Sequence, residues 1–237
     1  MDHNPPTVTP ATGEGTRRAQ SRVKVWDAPT RIFHWGIVAL VLICWRTAET
    51  GAMQVHILSG YTILAALLFR LVWGLVGSDT ARFSAFLASP LAALHHLGGF
   101  TRREPDIQIG HNAAGGWMVL LMLALLAAET VTGLFTNTFD DYDVNGSLAT
   151  SVSRATSDRL SELHSVIFNL ILAAVILHVL AVAAYALLKG QNLLRPMITG
   201  SKRLPPEIGR PRMRSGWLAT VILLCAAALV TFVATRS

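Results

Sequence analysis

Four histidines lie in or at the ends of apolar segments, where an ionisable side chain is rare. They are His34, His56, His164 and His178. An imidazole at membrane depth costs free energy, and such a residue usually has a function. Neutral imidazole is also a common ligand of iron and other transition metals. These four side chains are therefore the first candidates for chemistry, and a structural role in helix packing is the alternative for each.

Two of the four histidines share one apolar segment. His164 and His178 are fourteen residues apart in the sequence. On a helix, that spacing changes their direction by only about 40° and separates them by about 21 Å along the axis. One helix therefore presents two imidazoles toward the same side, one near each surface of a membrane.

The direction in which each segment enters the membrane gives the depth of each histidine. His34 starts a segment that enters from the cytoplasm, whereas His56 and His164 start segments that enter from outside. The depths therefore pair His34 with His178, and His56 with His164. Two bis-histidine sites stacked in one helical bundle fit a membrane protein that holds two haems b, with these four residues as iron ligands.

Five apolar segments provide the elements that position these side chains. They cover residues 32–45, 55–76, 115–135, 163–188 and 217–234. Four of them approach the ~20 residues that a helix needs to cross the hydrocarbon, and the first has a shorter apolar core. Hydrophobic residues make up 52% of the 237 residues and charged residues 14%. We predict an all-α fold, a transmembrane four-helix bundle that holds two haems, plus a fifth C-terminal transmembrane helix.

The distribution of positive charge predicts the orientation of the helices. Most Lys and Arg residues lie in the N-terminal tail and in the second and fourth connections, and few lie on the opposite side. The positive-inside rule then places the N-terminus in the cytoplasm and the C-terminus in the periplasm of a bacterial inner membrane. The net charge of +6 is spread between apolar segments, so we expect a lipid bilayer and no nucleic acid as partner.

Three further polar residues lie in or next to the apolar segments. Arg70 follows His56 by fourteen residues, on nearly the same face, and is a candidate to bind haem propionates. The alternative is an arginine that extends to the headgroups. Glu129 is a candidate proton relay for a quinone or a buried hydrogen-bonding acid. The position of His111, at the start of the third segment, leaves its role open.

The composition divides the chain into three parts. Residues 1–22 are polar and are predicted to form a disordered cytoplasmic tail. Residues 23–203 contain the four histidines and are predicted to form the diheme membrane domain. Residues 204–237 form a basic linker and the extra helix. An outer connection with Asp140, Asp141 and Asp143 is acidic and suits the docking of a basic partner.

Several motifs in the sequence resemble the bacterial cytochrome b561 family, in the branch that includes the b-type cytochrome subunits of nickel–iron hydrogenases. The similar stretches are VWDAPTRIFHW at 25–35, HILSG at 56–60, FRLVWGLVGSDTARFSAF at 69–86, GHNAAGGWMVL at 110–120, TGLF at 132–135, SDRLSELHSVIFNLILAAVILHV at 157–179 and NLLRPMITGSK at 192–202. They extend over residues 23–203. The resemblance implies a four-helix diheme core that exchanges electrons with a quinone or a partner protein.

The resemblance also implies a role for individual residues. It implies His34, His56, His164 and His178 as haem ligands, in agreement with the depth argument. The family often has a second histidine directly after the fourth-segment ligand, and this sequence has Ser165 there. Any auxiliary role of that second histidine is therefore missing. The fifth segment lies outside the resemblance, and we interpret it as an anchor or a partner-binding helix.

Three functions from different classes follow. The leading one is a respiratory-chain electron carrier between a pool of ubiquinone or menaquinone and a periplasmic cytochrome or oxidoreductase subunit. Whether such a subunit also has quinone oxidoreductase activity of its own is left open. The second is a stand-alone membrane oxidoreductase that acts on a small molecule such as superoxide. The third is a haem-free membrane protein whose histidines bind a metal or pack structurally.

Overall fold

The computed structural model describes residues 20–98, 106–137 and 145–235. Eight α-helices, two strands and two short 3₁₀ helices form this part of the chain. The helices are α1 (Ala28–Glu49), α2 (Met53–Val76), α3 (Phe83–Phe86), α4 (Pro90–Gly98), α5 (Ala113–Gly133), α6 (Arg154–Leu188), α7 (Leu194–Thr199) and α8 (Gly216–Ala234). The strands are β1 (Ser21–Lys24) and β2 (Ser201–Leu204), and the 3₁₀ helices are Asp79–Ala81 and Ala149–Ser151.

Five of the helices are long and apolar enough to cross a membrane, as predicted. They are α1, α2, α5, α6 and α8. Helix α1 is longer than the apolar segment 32–45, because it begins at Ala28 and continues to Glu49. The fourth also exceeds the prediction: α6 has 35 residues and begins at Arg154, nine residues before the apolar stretch. Hydropathy did not detect this polar first part of α6.

Side-chain caps set the start of several spanning helices. The Asp27 carboxylate accepts a hydrogen bond of 2.7 Å from the Thr30 N–H, and Pro29 occupies the first turn of α1. Asn112 caps α5 in the same way, by accepting from the Gly115 N–H at 2.7 Å. Each cap satisfies a backbone donor that has no partner inside the helix. The caps therefore set where α1, which carries His34, and α5, which contacts His164, begin.

Helices α1, α2, α5 and α6 pack around one apolar core. The buried members of this core are Ile63, Leu67, Leu123, Leu126, Ile167 and Ile171. Phe33, Ile37 and Val41 of α1 pack against them. The predicted helical bundle is thus present, and many leucines and valines on its outer surface remain exposed, as expected where lipid is the solvent.

The fifth spanning helix, α8, packs along the side of α2. Phe69 and Trp73 of α2 form a buried cluster with Ala219 and Ala226 of α8. The two alanines allow the helix backbones to approach closely. The histidine-bearing core and the last helix are therefore in direct contact, through a face of α2.

A small antiparallel sheet covers one end of the bundle, which we call the sheet end. Strand β1 pairs with β2 so that Ser21 lies opposite Leu204 and Lys24 opposite Ser201. The boundaries predicted after residues 22 and 203 both fall inside this sheet, so residues 20–22 and Leu204 belong to the folded part. Strands of four residues are too short for an alternating pattern to predict them from the sequence. Residues 1–19 of the predicted tail lie outside the described residues.

Candidate functional site

The structure brings the four candidate histidines together as two pairs, at opposite ends of the bundle. His34 of α1 and His178 of α6 have ring centres 6.4 Å apart, at the sheet end. His56 of α2 and His164 of α6 have ring centres 6.2 Å apart, near the opposite end. Helix α6 contributes one imidazole to each pair. These are the same pairs that the depth argument gave.

Backbone carbonyls orient both rings of the pair at the end opposite the sheet. His56 Nδ1 lies 2.9 Å from the Cys44 carbonyl oxygen. His164 Nδ1 lies 3.0 Å from the Glu129 carbonyl oxygen and 3.2 Å from Thr132 Oγ1. A carbonyl oxygen only accepts, so Nδ1 is the donor in these contacts, and Nε2 is the ring nitrogen left to bind a metal. A hydrogen bond from one ring nitrogen to a carbonyl oxygen is typical of histidines that bind a metal through the other ring nitrogen.

A carboxylate lies beside the same pair. Glu129 Oε1 is 3.3 Å from His164 Nε2, and Glu129 Oε2 is buried with no hydrogen-bond partner among the described residues. A metal bound to His164 Nε2 therefore requires the Glu129 side chain to turn away from that nitrogen. Glu129 is the acidic side chain next to this pair, which agrees with its place among the candidates.

A cavity of about 490 Å³ surrounds the His56 and His164 rings. Its walls are mostly apolar, and Gly60 lies in one of them, one turn after His56. An added Cβ atom at Gly60 would meet nothing within 4 Å, whereas one at Gly133 would lie 3.1 Å from His164 Cε1. The volume lies in the range of small-molecule and cofactor sites. The cavity thus has room for a flat cofactor on the Gly60 side. Behind His164, the ring packs closely against Gly133.

At the sheet end, buried nitrogen atoms of His34 and Arg70 have no hydrogen-bond partner among the described residues. His34 Nδ1 is buried and makes no hydrogen bond with the described residues. Arg70 is 3% exposed, and its Nη1 also lacks a partner there. The guanidinium lies over the Phe83 ring, 5.0 Å from its centre. A buried cation with an unused donor favours an anionic ligand at this end.

His111 belongs to the same group of side chains. Its ring lies 4.7 Å from Trp26 and 4.9 Å from Phe86, between centres. Burial is the main cause that lowers the pKa of His111 to about 3, and the charge of Arg70 lowers it further. His178 and His34 add smaller contributions of the same sign. His111 is therefore a neutral imidazole beside the sheet-end pair, and its buried Nδ1 has no hydrogen-bond partner among the described residues.

Comparison with known proteins decides the family of this chain. Residues 25–200, which include all four histidines and Arg70, match the family model of prokaryotic cytochrome b561. The chain belongs to the prokaryotic cytochrome b561 family. It is a multi-pass membrane protein of a family that binds b-type haem. No curated protein and no solved structure matches the sequence.

The distance between the two ring centres of each histidine pair in this cytochrome b561 can be compared with the distance that a haem iron requires. An iron between two imidazoles has nitrogen bonds of about 2 Å, and each ring centre lies about 1.1 Å beyond its nitrogen, which separates the centres by about 6.2 Å. The observed separations are 6.4 Å and 6.2 Å. Both pairs therefore have the spacing of axial ligands on either side of one iron.

Some site residues of this cytochrome b561 could not be found from the sequence. The sequence left the role of His111 open, because only the fold brings it next to His34 and His178. The carbonyl groups of Cys44 and Glu129 leave no mark in a sequence, because every residue has one. Among the described residues, no three His, Cys, Asp or Glu side chains converge as a protein-only metal site would require.

Proposed function

We propose that this cytochrome b561 binds two haems b and carries electrons through the membrane between them. His34 and His178 are the axial ligands of one haem, and His56 and His164 are the ligands of the other. The observation that carries this proposal is the presence of two histidine pairs at opposite ends of one bundle, each with the spacing of axial ligands.

The protein contributes more than the four imidazoles. When bound, haem supplies an iron that changes between the ferrous and ferric states and thus accepts one electron at a time. The Cys44 and Glu129 carbonyls hold the His56 and His164 rings by Nδ1, and Nε2 of His164 becomes free for iron when the Glu129 side chain turns away from it. The walls of the cavity around that pair are mostly apolar. At the sheet end, Arg70 is proposed to bind haem propionates. Its buried Nη1, which has no hydrogen-bond partner among the described residues, is suited to this role.

The proposed orientation places the sheet end in the cytoplasm. Lys189, Arg195, Lys202 and Arg203 follow α6 at that end, and the positive-inside rule puts such a cluster on the cytoplasmic side. His34 and His178 are then near the cytoplasm, and the other pair is near the periplasm of an inner membrane. The C-terminus after α8 is periplasmic. The acidic residues Asp140–Asp143, proposed to contact a partner, lie outside the described residues.

We also propose that one electron partner is a quinone, ubiquinone or menaquinone, and the other a periplasmic cytochrome or oxidoreductase subunit. Quinones dissolve in the bilayer and reach the lipid-exposed surface next to both histidine pairs. No specific contact favours superoxide as the substrate instead. Among the described His, Cys, Asp and Glu side chains, no group of three is placed so that it could hold a metal ion without haem.

Transmembrane electron transfer tests the proposal. Purified protein is placed in vesicles that contain ferricyanide, and a quinol is added outside. The wild type is expected to reduce the internal ferricyanide while its haem bands respond in the optical spectrum. His34→Ala and His56→Ala should each reduce the rate to that of protein-free vesicles, because each variant lacks one of the two relay positions.

An exposed histidine provides the matched control for this experiment. His95 in α4 is exposed and belongs to neither pair. His95→Ala should therefore transfer electrons at the wild-type rate. The proposal is wrong if His34→Ala or His56→Ala also keeps that rate. Rapid haem oxidation by superoxide without any response to quinol would favour the stand-alone oxidoreductase.

A second prediction concerns the glycine behind His164. In Gly133→Val, the added side chain begins 3.1 Å from His164 Cε1, so the ring must move away from its position in the pair. We expect the haem content per chain to fall toward half of the wild-type value, measured on purified protein. Gly209→Val is the control, because a Cβ atom there meets nothing within 4 Å. Full haem content in Gly133→Val would contradict the assignment of His164.

A further inference from the structure

A second cavity lies at the sheet end, outside the bundle, where α2 ends and α8 begins. Its volume is about 670 Å³. The lining residues are Asp79, Arg82, Arg212, Met213 and Arg214. Three of these five side chains are arginines, and one is a carboxylate. None of them takes part in the histidine sites described above.

Backbone hydrogen bonds fix the segment that carries two of the arginines. The Arg212 N–H donates to Asp79 Oδ2 at 2.8 Å, and the Asp79 N–H donates to the Arg212 carbonyl oxygen at 3.1 Å. The Arg214 N–H donates to Ser78 Oγ at 3.0 Å. Ser78 is fully buried. The arginine side chains are thus held on a defined support rather than on a free linker.

The charges in the cavity do not cancel. Asp79 Oδ1 accepts from Arg82 Nη2 at 3.0 Å, and the other carboxylate oxygen accepts from the Arg212 N–H. Both carboxylate oxygens of Asp79 therefore already accept hydrogen bonds, one from Arg82 and one from the backbone of Arg212. No other carboxylate is among the cavity-lining residues. The guanidinium groups of Arg212 and Arg214 remain for an external anion, and arginine is well suited to phosphate.

Exposed apolar side chains close in the sequence to the cavity-lining residues indicate a position at the membrane boundary. Trp217, in the first turn of α8, is 74% exposed, and Leu75, near the end of α2, is 70% exposed. Exposed tryptophan is typical of the interface between hydrocarbon and headgroups. The charged cavity and these exposed hydrophobic side chains therefore lie on neighbouring segments of the chain, at the end of α2 and the start of α8.

We propose that this cavity binds the phosphate group of an anionic phospholipid. Arg82, Arg212 and Arg214 contact the headgroup, and the acyl chains extend along the exposed surface near Leu75 and Trp217. Basic pockets between spanning helices are known to take anionic headgroups. The bound lipid joins the start of α8 to the end of α2. This inference does not depend on the number of haems or on their ligands.

Lipid-dependent stability of the full-length, detergent-purified protein tests the proposal. Thermal unfolding is followed during titration with phosphatidylglycerol, phosphatidylcholine or inorganic phosphate. Phosphatidylglycerol should raise the Tm of the wild type, and the other two additives should not. For the double variant Arg212→Gln/Arg214→Gln, the apparent affinity for phosphatidylglycerol should fall about 30-fold, which corresponds to about 1 kcal/mol for each arginine at a membrane surface.

Two control variants separate binding from folding and from general charge. Arg210→Gln changes an exposed arginine that does not line the cavity, and it should leave the affinity unchanged. Arg212→Lys/Arg214→Lys keeps the charge and should keep most of the affinity. All variants should have the wild-type haem spectrum.

Three results would overturn the proposal. The first is equal affinity of the Gln double variant and the wild type for phosphatidylglycerol. The second is equal stabilisation of the wild type by phosphatidylcholine. The third is equal stabilisation by inorganic phosphate with the same dependence on the arginines, which would identify a soluble anion as the ligand.

Discussion

His56→Ala is expected to lose one of two haems and to keep the other. The imidazole of His56 is proposed to bind one iron together with His164, whose ring centre is 6.2 Å away. Alanine provides no replacement ligand for the iron. The reduced-minus-oxidised absorbance of the α band per chain should fall to about half of the wild-type value.

The four single variants should form two classes. His56→Ala and His164→Ala should lose the same spectral component, and His34→Ala and His178→Ala should lose the other. A double variant within one pair should lose no more haem than either single variant. His95→Ala, at an exposed position, should keep both components. Four variants that each keep both haems, or classes that divide differently, would refute the ligand assignment.

Asp27→Ala is expected to lower the stability of the whole bundle. The Asp27 side chain is 2% exposed, caps α1 through the Thr30 N–H, and accepts from Trp73 Nε1 at 3.1 Å. Its charge also interacts with that of Arg70. The loss of a cap costs about 1 kcal/mol, and each buried donor left without a partner costs about 1 to 3 kcal/mol. The free energy of unfolding should fall by about 3 kcal/mol.

Thermal unfolding of the detergent-purified protein checks this expectation. A loss of about 3 kcal/mol lowers the Tm of a domain of this size by about 6 to 12 °C. Asp27→Asn is the matched control, because its amide oxygen still caps α1 while the charge is lost. It should unfold between the wild type and Asp27→Ala. An unchanged Tm in Asp27→Ala would show that the cap and the contact with Trp73 contribute little.

The spanning helices and the histidine pairs could be predicted from the sequence for one physical reason. A helix has to cross a slab of known thickness, so the length of an apolar run gives the helix, and position along the run gives depth. His164 and His178 are two depths on one helix, which restricts the partners of His34 and His56. No such argument exists for a soluble helix, whose ends are not fixed by a membrane.

Other features depend on contacts between distant parts of the chain. The strands of the small sheet have four residues each and are joined only by pairing across nearly the whole sequence. The polar first part of α6 is helical although hydropathy favours no membrane span there. His111 becomes a neighbour of Arg70 only when α2 and the start of α5 meet. Single-segment patterns contain no information about such pairings.

The most direct test of the central claim is the haem content of the purified wild-type protein, combined with its spin state. Haem b is quantified per chain as the pyridine complex, and the oxidised protein is examined by electron paramagnetic resonance. Two histidine pairs predict two haems b per chain, both low-spin because both axial positions of each iron are occupied by imidazole. One haem per chain, or a high-spin signal from an iron with an open axial position, would contradict the account.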